Sequence, residues 1–429
     1  MEEKISIPSS IKKMTVILVL AYLLNFIGFT FTLSTMALTG KKLLSGSGAA
    51  GIPLTLLSAV ALFSALPFGK LGDKIGRKKS LILIMLCYVV GDMLGAIAIN
   101  SNSGTLYLAS MAILGIGVGA MALFATAVTD LYPAKFKGRA SGYAQLGVMG
   151  ANTLGYLVGG QLVTHLGTTS VYYAGFIAQF VSIALILSLK FDTKEVGLKL
   201  QQYWPREAFS EQELNPKPVV ENVKKEHNRP AIKLLLIFPL LLAVLLRIFI
   251  HIGANFVNIA LPVAFTQIGF PLTTITIFMT IRALGSFVSA SPCGAIMDKY
   301  GRKFGFITAP VITAIGILLI GLTGTVPLIV VGSFLIGVGN AVANVVPPAV
   351  ANDVTYLPER SAAVAIFGIS TNVGGFVFPT PMASILHNYN IAVLAIVSAA
   401  VLMIPVILSF FIKEVSIGRY KGVELDSVD

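Results

Sequence analysis

Long uncharged, apolar runs alternate along the chain with short polar stretches. Five of them stand out: Met14 to Gly40, Leu43 to Gly69, Ala140 to Leu189, Phe304 to Asn352 and Ser361 to Ile412. A membrane-spanning helix needs about 20 consecutive apolar residues, so the first two runs hold one span each and the last three hold two. Further apolar stretches, interrupted by single charges, supply the rest. The predicted spans lie near 14–38, 49–69, 80–100, 105–131, 142–166 and 169–190, then near 234–264, 272–293, 304–322, 326–350, 362–386 and 389–412. The pattern predicts an all-α, multi-pass membrane protein with twelve transmembrane helices.

Composition agrees with the pattern. The chain is 55% hydrophobic and 12% charged, about half the charged share of an average soluble domain. A net charge of +12 would suit a nucleic-acid partner, but the placement of the cations excludes one. Of 31 Lys and Arg, 27 fall in the two tails and in alternate loops; Lys41 and Lys42 lie in the first opposite-side loop, and Arg247 and Arg282 lie inside apolar runs. Cations concentrate on the cytoplasmic side of membrane proteins, so both termini are expected in the cytoplasm of a protein in the cell membrane. Cys87 and Cys293 each fall within a span, which gives no disulfide framework.

The stretch Phe191 to Lys233 between the two sets of spans carries eight cations, seven acids and the only tryptophan, Trp204. It reads as a cytoplasmic linker with short interfacial helices, and Trp204 is expected to rest at the headgroup level.

A polar segment is repeated. Gly69-Lys70-Leu71-Gly72-Asp73-Lys74-Ile75-Gly76-Arg77-Lys78-Lys79 reads as a short loop after the second span. Gly294-Ala295-Ile296-Met297-Asp298-Lys299-Tyr300-Gly301-Arg302-Lys303 reads as its counterpart after the eighth. Asp-Lys-x-Gly-Arg-Lys keeps its spacing in both copies, 225 residues apart. Leu114-Gly115-Ile116-Gly117-Val118-Gly119 recurs as Phe334-Leu335-Ile336-Gly337-Val338-Gly339, and Asn152 to Tyr156 as Asn372 to Phe376. Asp130 leading to Pro133 and Arg139 is matched by Asp353 leading to Pro358 and Arg360. Six spans per half is an even number, so the halves are parallel repeats.

The Gly69 to Lys78 segment resembles the signature loop between the second and third helices of the major facilitator superfamily, and the second copy stands where that superfamily repeats it. The resemblance implies two six-helix bundles around a central cavity, working by alternating access. The N-terminal bundle would take residues 1–190, the linker 191–233, the C-terminal bundle 234–413 and a cytoplasmic tail 414–429. It places the first, fourth, seventh and tenth spans at the cavity. It also assigns Gly69, Asp73, Gly76, Arg77, Asp298, Gly301 and Arg302, with Asp130 and Arg139, to a gate. There Asp73 would lie against the positive end of a facing helix and Arg77 would pair with an acid. Drug exporters of the superfamily carry an arginine where Met111 stands and a Gly-Pro pair where Gly155-Tyr156 stands. Both departures weaken the exporter reading, and the Asp130-x-x-Pro133 to Arg139 junction looks more like the sugar and organic-acid porters.

Charged and polar residues inside spans are the candidates for transport, because each is costly to bury without a purpose. Arg247, His251, Asn255 and Asn258 fall within roughly 80° of one helix face at 100° per residue. Arg282 lies near the middle of its span, followed by Ser286 and Ser289. Asn340, Asn344 and Asn25 add polar groups. Two cations facing the cavity, with Asp92 as the one deep acid, point to an anion held by Arg282 with Arg247, His251, Asn255, Asn340, Asn344 and Asn25. Asp92 and His251 are the candidates for proton coupling.

The expected function is therefore secondary transport of a small anionic metabolite such as a carboxylate, with protons as a candidate co-substrate. Sugar transport and multidrug export are the alternatives, and a non-transporting sensor is a weaker one. No metal-ligand cluster or nucleophile motif is present in the sequence, so neither a cofactor nor enzymatic chemistry is expected. The expected partners are the bilayer and the solute, with a monomer as the functional unit.

Overall fold

A computed structural model describes residues 7–133, 136–209, 231–355 and 360–411. Among these residues there are helices, turns and connecting segments but no strand. That outcome follows from the sequence: in lipid, backbone groups must be satisfied internally, and a helix does so within one segment.

The helices follow the predicted spans in order. They are α1 (Ser9–Leu43), α2 (Ile52–Ile75), α3 (Arg77–Asn100), α4 (Gly104–Ala120) continued by α5 (Ala122–Thr129), α6 (Lys137–Leu166) and α7 (Ser170–Leu187). A short α8 (Thr193–Leu198) begins the linker. The second set is α9 (Phe238–Phe249), α10 (His251–Asn255), a π turn over Phe256–Ala260, α11 (Leu261–Gln267), α12 (Leu272–Tyr300) and α13 (Arg302–Thr323). It ends with α14 (Val326–Val354), α15 (Arg360–Val377), α16 (Pro379–Asn388) and α17 (Ile391–Ser409). Nine helical stretches among the described residues are long and apolar enough to cross a membrane, or ten if the bent pair within α2 is one span.

Two compact units divide the chain. One comprises Met1–Thr35 and Leu56–Val219, the other Met36–Thr55 and Val220–Asp429. The first is packed around aromatic side chains: Tyr22 stacks on Phe124 with ring centroids 4.8 Å apart, and Tyr88, Tyr107 and Tyr172 are fully buried. The second has a core of Leu240, Leu246, Phe306, Val346 and Val350, contributed by α9, α13 and α14. Its helices cross closely at Gly337, where a methyl group would collide with the backbone oxygen of Arg282. Gly115 of the first unit holds the same kind of position, against the backbone oxygen of Leu57. Small residues let helix backbones approach where lipid supplies no hydrophobic drive for association.

The motif segments are not the polar loops that the sequence predicts. Helix α2 runs on through Ile75, and α3 begins at Arg77. The whole turn is made by Gly76, with φ 94° and ψ 161°. Its counterpart Gly301 joins α12 to α13 with φ 86° and ψ 171°. Both conformations lie in the region that only glycine enters without strain, so the repeated glycine is a repeated hinge angle. The polar residues before it continue the helix beyond the apolar run, because helical geometry needs no apolar side chains once the helix has left the lipid.

Candidate functional site

Two groupings of polar residues emerge, one in each unit. In the first unit, Arg77 is the centre. Its Nη1 donates to Asp73 Oδ1 at 2.8 Å and its Nε donates to Asp130 Oδ2 at 3.0 Å, joining the ends of α2, α3 and α5. Burial pushes the Asp130 carboxyl above its usual range, against the opposing pull of Arg77. The predicted pairing of Arg77 with an acid is thus present, and Asp73 is one of the two partners. The acid at the start of α3, however, comes from the linker. Asp192 accepts from Arg77 N at 3.1 Å, from Lys78 N at 2.9 Å and from Lys194 N at 2.9 Å, which satisfies the otherwise unpaired first amides of α3. Lys194 Nζ in turn donates to the backbone oxygen of Asp73. The local pattern Asp192-Thr193 signals only the cap of α8; the bonds to α3 come from 114 and 115 residues away.

The linker corrects a second expectation. Trp204 is covered by protein, 4% exposed, rather than laid open on an interface helix. Its Nε1 donates to Leu131 O at 3.0 Å, and its ring stacks on Phe136 with centroids 5.4 Å apart and leans on Tyr132. An indole buried on a protein surface with its N–H satisfied gains more than one left at an interface. Arg139 borders this cluster, exposed, with its guanidinium over the Phe136 ring at 5.7 Å from the centroid. Gly69 lies within α2 with open space where a side chain would start. The side chain of Asp298 lies outside the described residues, as does that of Asp353. Arg302 is half-buried at the start of α13.

In the second unit, Arg247 and His251 are one turn apart on successive helices. Arg247 Nε donates to Thr371 Oγ1 at 2.9 Å, and His251 Nδ1 lies 3.0 Å from Arg247 O. A carbonyl only accepts, so Nδ1 carries the proton and Nε2 is left for another partner. Both Arg247 and Arg282 lie within electrostatic reach of His251. Asn255 Nδ2 donates to Gly374 O at 3.4 Å, so α15 faces Arg247, His251 and Asn255 through Thr371 and Gly374. Thr371, absent from the sequence-based set, is the addition here. Arg282 is 7% exposed in α12, with Ser286 one turn on; Asn340 Nδ2 donates to Ser286 Oγ at 3.3 Å. Asn344 is half-buried on the next turn of α14.

The π turn modifies the predicted stripe. Five residues of wider helix between Asn255 and Leu261 shift the phase of everything beyond, so Asn258 does not continue the 100° progression of Arg247, His251 and Asn255. Asn25 is held by a neighbouring helix. It is fully buried in the first unit, donating to Gln179 Oε1 at 2.6 Å while Gln179 Nε2 donates back to its carbonyl at 3.1 Å. That reciprocal pair ties α1 to α7 and occupies the Asn25 amide nitrogen.

Helical spans, paired motif turns and buried polar residues within spans define a multi-pass membrane transporter. The sequence profile of the Major Facilitator Superfamily matches residues 18–252 and 243–425, and the chain belongs to that superfamily. It is therefore a transporter and not an enzyme. Among relatives matched over most of their length, a putative metabolite transport protein of Haemophilus influenzae is 26% identical over 400 residues, 90% of each chain. The class H tetracycline resistance protein of Pasteurella multocida is 26% identical over 390 residues, 89% of this chain and 90% of that one. The solved structure of a D-xylose-proton symporter matches 96% of this chain and 100% of its own with a TM-score of 0.73 at 17% identity, which shows the fold alone.

Proposed function

We propose that this transporter moves a small anionic metabolite, with carboxylates as the expected class, across the cell membrane by alternating access. The observation that carries the reading is the grouping of Arg247, His251 and Arg282 in a unit whose sequence has no acid from Lys233 to Met297. A guanidinium offers a planar fork of donors suited to carboxylate or phosphate, and buried charge favours an opposite charge over water-like neutral partners. Thr371 holds Arg247 from the side, and Nε2 of His251 supplies one more polar contact. The cation-rich tails and motif turns support a cytoplasmic position for both termini. The chain is read as acting as a monomer.

Export of a drug is the second reading, favoured by the full-length likeness to a tetracycline resistance protein. The experiment is uptake into proteoliposomes of lactate, succinate, citrate and inorganic phosphate, with xylose and tetracycline alongside, for the wild type and Arg282→Lys. Uptake of an anion that Arg282→Lys impairs strongly is the expected result. Transport of xylose or tetracycline alone, or an anion uptake unchanged in Arg282→Lys, sinks the anion assignment.

A further inference from the structure

The first unit contains a second buried acid that the motif cluster does not use. Asp92 is 1% exposed, fifteen residues into α3, in the interior of a membrane-spanning stretch. Thr32 Oγ1 of α1 donates to its Oδ1 at 3.3 Å, and its Oδ2 has no hydrogen-bond partner among the described residues. Room for that oxygen is provided by Gly175 of α7, where a Cβ would come within 2.8 Å of Oδ2. The titratable groups around it are all phenols. Tyr88, one turn earlier on α3, is fully buried with an unpartnered hydroxyl; Tyr172 of α7 lies across Gly95. Tyr172 OH donates to Tyr107 OH of α4 at 3.3 Å. From α4, Ser110 is occupied with Gly91 O at 2.8 Å; from α7, Gln179 is occupied with Asn25. No lysine, arginine or histidine forms an ion pair with Asp92 among the described residues.

Such a site is built to hold one small cation by a single oxygen. A carboxylate buried in a span without a positive partner costs several kcal/mol, which binding a proton removes. A metal cation would need several oxygens around it, whereas one hydroxyl at 3.3 Å and one empty lone-pair direction fit a proton. The bonded hydroxyls of Tyr172 and Tyr107 lie one helix turn beyond Asp92, beside Gly95 and in the first turns of α4.

We propose that Asp92 is the proton-binding carboxyl of the transport cycle, taking a proton on Oδ2 as an O–H bond and giving it up as the free carboxylate. The proposal deepens the anion reading above, since a monocarboxylate carried together with one proton moves no net charge. It also separates the proton site, in the first unit, from the guanidinium site, in the second.

The test uses the full chain in phosphatidylethanolamine–phosphatidylglycerol vesicles, with two readouts. Infrared difference spectra between wild type and Asp92→Asn should show a protonated-carboxyl carbonyl band that the variant lacks and that bleaches as pH is raised. Thr32→Val, which keeps the acid and removes its hydroxyl partner, should shift that band without abolishing it, and it guards against misfolding of Asp92→Asn. In the transport readout, an acid-outside pH gradient should drive accumulation of lactate, succinate or citrate in the wild type. Asp92→Asn should lose accumulation yet keep counterflow of the same probe. A band that is absent or does not respond to pH overturns the proposal, as does accumulation that survives in Asp92→Asn. Loss of counterflow together with accumulation overturns it as well, and so does sodium substituting for protons at fixed pH. If none of the three carboxylates is taken up, the anion reading fails, while the infrared band still decides Asp92.

Discussion

Trp204 Nε1 donates to the backbone oxygen of Leu131 across 73 residues of sequence, at 3.0 Å. This bond, with the stack on Phe136, fastens the linker to the junction between α5 and α6. Trp204 is the only tryptophan in the chain, so its fluorescence reports on that docking alone. Emission should be that of a shielded indole and resist quenching by iodide. Trp204→Phe keeps the stack but leaves Leu131 O unpaired, at a cost of about 1–3 kcal/mol. Trp204→Ala removes both and should cost roughly 3–5 kcal/mol, seen as a lower Tm in detergent. Free quenching of the wild-type indole would show that the linker is not docked.

Asp192 and Gly76 form one device. A Cβ on Gly76 would sit 2.5 Å from Asp192 Oδ2, and its positive φ is already closed to other residues. Asp192→Ala uncaps α3 and should lower stability by about 1–2 kcal/mol, while Asp192→Asn keeps an acceptor and should lose less. Gly76→Ala adds roughly 1–3 kcal/mol of backbone strain and displaces the cap as well. Because both substitutions strike the same cap, the double variant Gly76→Ala, Asp192→Ala should fall short of the sum of the two. A thermal-denaturation cycle in which the effects simply add would show that the two residues act independently.

Much of this framework was legible in the chain because it rests on local patterns. Apolar run lengths gave the order of the helices, and the Asp-Lys-x-Gly-Arg-Lys repeat marked both hinge turns. What stayed hidden depends on partners far away in sequence. Nothing near Asn25 says that Gln179 will pair with it, and nothing near Trp204 names Leu131. A polar residue in a span reads alike whether it binds solute or a neighbouring helix, and Asn25 is such a residue. The π turn at Phe256–Ala260 was equally hidden, because a constant 100° per residue is assumed in any helical projection.

The Arg77–Asp130 pair makes a pH prediction whose sign follows from burial. Burial first, opposed by Arg77, leaves the Asp130 carboxyl raised above its ordinary value. The folded protein therefore holds a proton there more tightly than the unfolded chain does. This contribution to stability is full below the ordinary carboxylate range and is lost as pH rises through the raised value. Compared with Asp130→Asn, the wild type should gain Tm as pH falls through that window. Arg77→Gln leaves the acid without its guanidinium and should cost roughly 1–3 kcal/mol. Adding Asp130→Asn should recover part of that loss, and a double variant worse than Arg77→Gln alone would contradict the pairing.

Thr371 tests the site in the second unit without removing a charge. Its Oγ1 accepts from Arg247 Nε at 2.9 Å and donates to Phe367 O at 3.1 Å, so it orients the guanidinium from α15. Valine has nearly the same shape and no hydroxyl, so Thr371→Val releases Arg247 while keeping the packing. If Arg247 helps to hold an anion, KM for the transported carboxylate should rise roughly tenfold, about 1.4 kcal/mol, with kcat little changed. Thr371→Ser restores the acceptor and should behave like the wild type. The pattern separates orientation from mere support, because loss of a structural bond would lower Tm in Thr371→Val and leave KM where it was. An unchanged KM in a variant that folds normally would remove Thr371, and with it this orientation of Arg247, from the binding site.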